Sequence, residues 1–271
     1  MGFFSWLLSL RKPKKVKLGL ALGSGGAKGF AELGAIRAFE ENGIEFDVIA
    51  GTSIGSIIGA FYADGYTSTD IVEMLKRINV TELISGIGLG IDMSGLERVI
   101  DKNIGHKNIE ELKKPFACVA TDTATGKECK FEKGSVAKAL CASSSMPPYF
   151  KPVIIDGVRY VDGAFTNSIP ADWVRAQGAN YVVGIDLKDH DAKPSFISRL
   201  IPTYRSDVSE PWATGYRDSD VMVYPNLKEY KATSFTRAQE MFDLGYEKAM
   251  ELMPKIKQDI ENLKGKKKKT N

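Results

Sequence analysis

A serine flanked by glycines, Gly51-Thr52-Ser53-Ile54-Gly55, follows the apolar run Val48-Ile49-Ala50 and leads into Ser56-Ile57-Ile58-Gly59. Strand, sharp turn and helix are the setting in which G-x-S-x-G exposes a nucleophilic hydroxyl. The glycines let strand and helix approach closely around a strained residue, and the helix N-terminus favours negative charge developing at the hydroxyl. A hydroxyl also needs a base to take its proton. The two histidines stand in Gly105-His106-Lys107 and Asp189-His190-Asp191, both hydrophilic, and are expected at the surface. A carboxylate is then the base. Asp162 fits best, at the end of a strand pattern and before Gly163-Ala164, with Asp186 and Asp122 in reserve. A carboxylate with a reference pKa of ~3.9 is a weak base, so the site must be partly desolvated to strengthen it.

A developing oxyanion needs donors, and one loop offers them. Gly23-Ser24-Gly25-Gly26-Ala27-Lys28-Gly29 lies between a strand pattern at 16–22 and a helix pattern at 30–42. Bare amides there can cradle an anion. A dinucleotide fingerprint is disfavoured, because the third glycine falls one place late and no acid follows some twenty residues on. A phosphate-binding P-loop lacks its Gly-Lys-Ser/Thr ending. An oxyanion hole, which asks only for two or three loop amides beside a nucleophile, is the remaining reading.

The elements that must carry these residues alternate. Strands are expected at 46–50, 115–120, 128–132, 153–155, 158–161, 181–186 and 221–224. Helices are expected at 68–78, 94–102, 136–143, 169–177 and 236–263. Asp156-Gly157 reads as the turn of a hairpin. The Ser144-Ser145 pair reads as capping hydroxyls at a helix end before a proline turn, not as a second nucleophile. Residues 84–91 are a glycine-rich loop or cover, and 188–220 an irregular polar excursion. This pattern predicts an α/β fold of three layers, α/β/α, with a largely parallel central sheet and a nucleophile elbow.

The net charge of +3 is unevenly spread. Arg11, Lys12, Lys14, Lys15 and Lys17 stand near the start, and Lys264 with Lys266 to Lys269 near the end; against the net +3, those ten leave the body at −7. A nucleic-acid binder would carry its basic residues on the body. Cys118, Cys129 and Cys141 make no metal-binding spacing, so no metal is expected and reduced thiols fit a cytoplasmic protein. Residues 1–15 join the apolar stretch GFFSWLLSL to basic residues, which suits an interfacial anchor. Peripheral contact with anionic membrane through residues 1–17 and 264–271 is the expected partner interaction. The domain plan is an anchor at 1–15, a catalytic domain at 16–263 and a basic, disordered tail at 264–271.

Three of these pieces, in this order, resemble the patatin-like phospholipase family, small bacterial type. They are the glycine loop with Lys28, the Gly51–Gly55 elbow and Asp162-Gly163-Ala164. The Ser-Met-Pro turn and Asn167-Ser168-Ile169-Pro170 are also similar to the family, and the resemblance runs from about 16 to 187. The loop begins Gly-Ser-Gly-Gly where plant patatins have Asp-Gly-Gly-Gly. The resemblance implies a Ser–Asp dyad in which Ser53 attacks a lipid ester, Asp162 takes its proton and the amides of Gly25, Gly26 and Ala27 hold the oxyanion, with no cofactor. Gly23, Ser24, Lys28, Gly29, Gly51, Gly55, Gly163 and Ala164 support the motif. The competing readings are an acyltransferase of the malonyl-transferase class, whose elbow carries a histidine where Thr52 stands, and a non-catalytic membrane-associated module.

Overall fold

The computed structural model describes residues 16–77, 90–190 and 208–269. The expected anchor at 1–15, most of the 84–91 segment and the middle of the 188–220 excursion lie outside the described residues. Among the described residues, eight strands form one sheet in the order β5-β6-β3-β2-β1-β7-β8, with β4 also paired to β3. The strands are β1 (Leu18–Leu22), β2 (Val48–Thr52), β3 (Phe116–Asp122), β4 (Glu128–Phe131), β5 (Val153–Ile155), β6 (Val158–Asp162), β7 (Tyr181–Ile185) and β8 (Val221–Val223). β3, β2, β1, β7 and β8 run parallel; β4, β5 and β6 pair antiparallel. β1, β2 and β7 are buried along their whole length, as parallel strands covered on both faces must be.

The helices are α1 (Gly29–Glu41), α2 (Ile54–Ala63), α3 (Ser68–Arg77), α4 (Ser94–Ile104), α5 (Val136–Ser143), α6 (Ala171–Ala176), α7 (Ala213–Asp218) and α8 (Ala238–Lys269). The two sheet faces differ in side-chain size. Leu20, Leu22 and Ile49 enter a large core with α1, α2 and α8, whereas Ala21, Val48, Ala50 and Ala117 face α6 and Trp212 in a smaller one. This is the three-layer α/β arrangement the alternation predicts. α8 lies so close to α1 that a Cβ on Gly34 would come within 1.9 Å of the Phe242 carbonyl oxygen, and one on Gly245 within 1.9 Å of that of Ala31.

Three boundaries depart from the sequence expectation. The second strand is Val48–Thr52, not 46–50, because Phe46 is buried in edge-to-face contact with Phe39 before the strand begins. The 188–220 excursion contains α7, whose Gly215 allows close approach to Ile169. The final helix runs through Lys269, beyond the expected end at 263, so most of the expected disordered tail is helical. Lysine and glutamate are good helix formers, and a Lys264–Glu261 pair one turn apart supports the extension.

The pairing of β3 brings two distant residues together. Each strand residue has only two edges. Cys118 pairs with Gly51 of β2 and Phe131 of β4, while Thr121 pairs with Val161 of β6 and Glu128 of β4. β2 and β6 therefore share one edge of β3, and β4 takes the other. β2 ends at Thr52 opposite Val119, and β6 ends at Asp162 opposite the next residue, Ala120. The two strands meet end to end, with Ser53 at one tip and Asp162 at the other.

Candidate active site

Ser53 Oγ donates to Asp162 Oδ2 at 2.7 Å. Ser53 has φ 57° and ψ −125°, a conformation that L-residues rarely adopt. Backbone contacts hold it there: a Cβ on Gly51 would lie 2.2 Å from the Gly55 carbonyl oxygen, and one on Gly55 would lie 2.6 Å from that of Gly23. The elbow thus packs on itself and on the glycine loop. The Ser53 amide donates to Ser143 Oγ at 2.9 Å, which ties the elbow to the end of α5.

Asp162 is wholly buried. Its Oδ1 accepts from the Ala164 amide at 2.8 Å, and its own amide donates to the Ser145 carbonyl at 3.0 Å. Burial pushes its carboxyl up to about 6, against the Ser53 hydroxyl, the Ala164 amide and the charge of Lys188, which pull it down. Lys188 is itself pushed below the usual lysine range by burial, with Asp162 and Asp186 opposing.

The other candidate bases are elsewhere. Asp186 accepts from the Lys188 amide and the Tyr216 hydroxyl and pairs with His190. Asp122 holds a turn through the Ala124 amide and the Thr125 hydroxyl. His106 is 80% exposed beside Asp101, as expected. His190 is only partly exposed. Its Nε2 lies 2.5 Å from Asp186 Oδ2, and its ring packs against Trp212 and Tyr216. The buried Asp186 carboxylate draws the imidazole in from a stretch whose composition reads as hydrophilic.

The glycine loop lies against the elbow. The Ser24 amide donates to the Ser168 carbonyl, and Gly29 opens α1 beside Ile54. Lys28 is half-buried, which lowers its pKa, while Asp189 and Asp186 oppose that effect. One expectation needs narrowing. The Ala27 amide donates to the Ala232 carbonyl at 2.7 Å, so it is engaged and not open to an oxyanion. Gly26 sits at φ +58°, and a Cβ there would lie 2.5 Å from that same Ala232 oxygen. The amides of Gly25 and Gly26 have no partner among the described residues.

Two residues outside the sequence candidates lock the arrangement. Thr52 Oγ1 donates to the Asn167 carbonyl at 2.8 Å, and the Asn167 amide donates to the Gly163 carbonyl at 2.9 Å. The Asn167 side chain donates to Glu128 and Asp172 and accepts from Thr214. Asn167 thus joins the residue before the serine to the residue after the aspartate. The Asn-Ser-Ile-Pro signal marks it, but its partners are distant in sequence. Ser145, read as a capping hydroxyl, donates across the proline turn to the Lys151 carbonyl.

Among the described residues no helix is long and apolar enough to cross a membrane, and no group of acids, cysteines and histidines has metal-site geometry. A family model for patatin-like phospholipases matches residues 20–174. An uncharacterized NTE family protein of Mycobacterium tuberculosis is 29% identical over 194 residues, 69% of this chain and 54% of its own. Patatin-like phospholipase domain-containing protein 6 of Homo sapiens is 30% identical over 213 residues, 72% of this chain and 14% of its own. The chain thus spans about half the length of the mycobacterial relative and a small part of the human one. The crystal structure of VipD from Legionella pneumophila shares the fold, with a TM-score of 0.63 at 16% identity over 89% of this chain and 67% of that one. With the matched segment covering both Ser53 and Asp162, the chain belongs to the patatin-like phospholipase family.

Proposed function

We propose that this chain is a serine acyl hydrolase of lipid esters, of phospholipase A or lysophospholipase type, working through a Ser53–Asp162 dyad. The 2.7 Å hydrogen bond between a strained serine and a buried aspartate is the observation that carries this reading. Ser53 Oγ attacks the ester carbonyl carbon as its proton passes to Asp162 Oδ2. The carbonyl oxygen becomes an oxyanion, received by the Gly25 and Gly26 amides in the loop ahead of α1. The ester C–O bond then breaks, and the leaving alkoxide takes the proton from Asp162. A water attacks the acyl-serine, gives its proton to Asp162, and the fatty acid leaves as Ser53 regains its hydrogen. Each oxyanion donor is worth about 3 kcal/mol of transition-state stabilisation.

The test is direct. A fluorophosphonate probe should modify Ser53 alone, and a lysophospholipid should yield free fatty acid. Acyl transfer to a thiol or alcohol in place of water would overturn the hydrolase assignment. Asp162 must be ionised to accept a proton, and its carboxyl lies at about 6. Turnover should therefore rise as pH increases through about 6, tenfold per pH unit on the acid side. A profile flat from pH 4.5 to 8 would remove Asp162 from the role of base.

The membrane contact remains part of this proposal, since the substrate lives at a lipid surface and both chain ends are basic. Removing residues 1–15 is expected to weaken co-sedimentation with anionic vesicles and to leave turnover of a soluble ester unchanged. Equal vesicle binding with and without those residues would end the anchor idea.

A further inference from the structure

One buried acid has no part in that chemistry. Glu32 lies in the first turn of α1, directly behind the glycine loop, and is wholly buried. Its Oε1 accepts from the Gly23 amide at 2.7 Å. Its Oε2 is enclosed and has no partner among the described residues. Gly23 is the point where the loop touches the elbow, since its carbonyl stands against Gly55. Two and three residues further on come Gly25 and Gly26, whose amides have no partner among the described residues. A single side chain therefore holds the loop at its contact with the serine's turn.

Burial pushes the Glu32 carboxyl well above the usual carboxylate range; the Gly23 amide opposes this and the nearby Asp186 adds to it. The geometry argues the same way, because an ionised carboxylate with one bare enclosed oxygen costs far more than a neutral acid in the same place. Neutrality also suits the site. A negative charge behind amides meant to receive an oxyanion would oppose the charge developing in front of them.

We propose that Glu32 is a positioning residue for the oxyanion loop: its carboxyl clamps the Gly23 amide and thereby sets how the Gly25 and Gly26 amides face Ser53. The catalytic part of this inference rests on the reading of that loop under the proposed function. Glutamine keeps an acceptor for Gly23 without any ionisation, and leucine keeps the bulk without an acceptor.

The experiment compares full-length wild type, Glu32→Gln and Glu32→Leu by amide hydrogen exchange over residues 18–28 and by steady-state ester hydrolysis. Loss of one hydrogen bond should speed exchange in that segment about tenfold in Glu32→Leu. Its kcat should fall by roughly 10- to 100-fold with KM nearly unchanged, because the Gly25 and Gly26 contacts it misaligns are made to the oxyanion of the transition state. Glu32→Gln should match wild type in both measurements. Unaltered exchange in Glu32→Leu, or a Glu32→Gln variant as impaired as Glu32→Leu, would overturn the clamp. Should leucine prevent folding, Glu32→Asp takes its place; it withdraws the carboxyl by one methylene, and normal exchange with normal kcat there would equally overturn the proposal. Absence of Ser53-dependent turnover in the wild type would sink the functional reading instead, while the exchange comparison would still decide the clamp.

Discussion

Asp162→Asn is expected to lose ester turnover by about 10²- to 10⁴-fold, the range for removing a general base, and at the same time to gain stability above pH 6. The amide can still accept from the Ala164 amide and meet the Ser53 hydroxyl, so the local geometry has no reason to collapse. The stability gain follows from burial. Folding raises the aspartate from an ordinary value of ~3.9 to about 6. Between those two values the folded protein holds a proton that the unfolded chain has released. Stability contributed by this group is therefore present below about pH 4, is lost as pH rises to about 6, and stays lost above. The ionised carboxylate costs on the order of 2–3 kcal/mol at pH 8, and asparagine avoids that cost. Urea denaturation at pH 4 and pH 8 checks this: the variant should exceed wild type at pH 8 and not at pH 4. An identical difference at both values would mean that Asp162 titrates normally.

Ser53→Gly should show the larger loss of activity, about 10⁴- to 10⁶-fold, since without the hydroxyl there is no acyl-enzyme. It should also fold more stably than Ser53→Ala. At φ 57° an alanine keeps the strain that glycine escapes, a difference of about 1 kcal/mol. Both variants remove the hydroxyl that favours ionised Asp162, so the aspartate's titration should move above its wild-type position of about 6. Thermal melts with single-turnover kinetics check the first two points, and an NMR titration of the carboxyl checks the third. Residual turnover near wild type in Ser53→Gly would mean that another group carries the reaction.

The sequence makes the elbow legible because its cause is local. Glycines two residues either side of Ser53 after an apolar strand leave few other conformations, and Asp162-Gly163 after a hairpin signal is similarly self-contained. What escaped is non-local. The engagement of Ala27 depends on Ala232, some two hundred residues later, in a region with no motif. His190 reads as exposed from its acidic neighbours and is partly buried by Trp212 and Tyr216, which come more than twenty residues later in the same excursion. Glu32 falls among apolar residues in a helix pattern, where nothing in its neighbours announces the amide it holds. Element types survived better than their ends, because periodicity records burial, and Phe46 is buried without belonging to a strand.

The head-to-head meeting of β2 and β6 along one side of β3 has a consequence for how such a chain tolerates change. The serine and the aspartate are 109 positions apart, yet their separation in space is governed by neighbouring rungs of a single ladder. Segments inserted or deleted in the intervening connections leave those rungs in step. A one-residue slip of β3 against only one of the two strands would pull the pair apart. Lineages sharing this scaffold are thus free to vary the architecture around the reaction centre, while the few residues of β3 that face both tips must keep count.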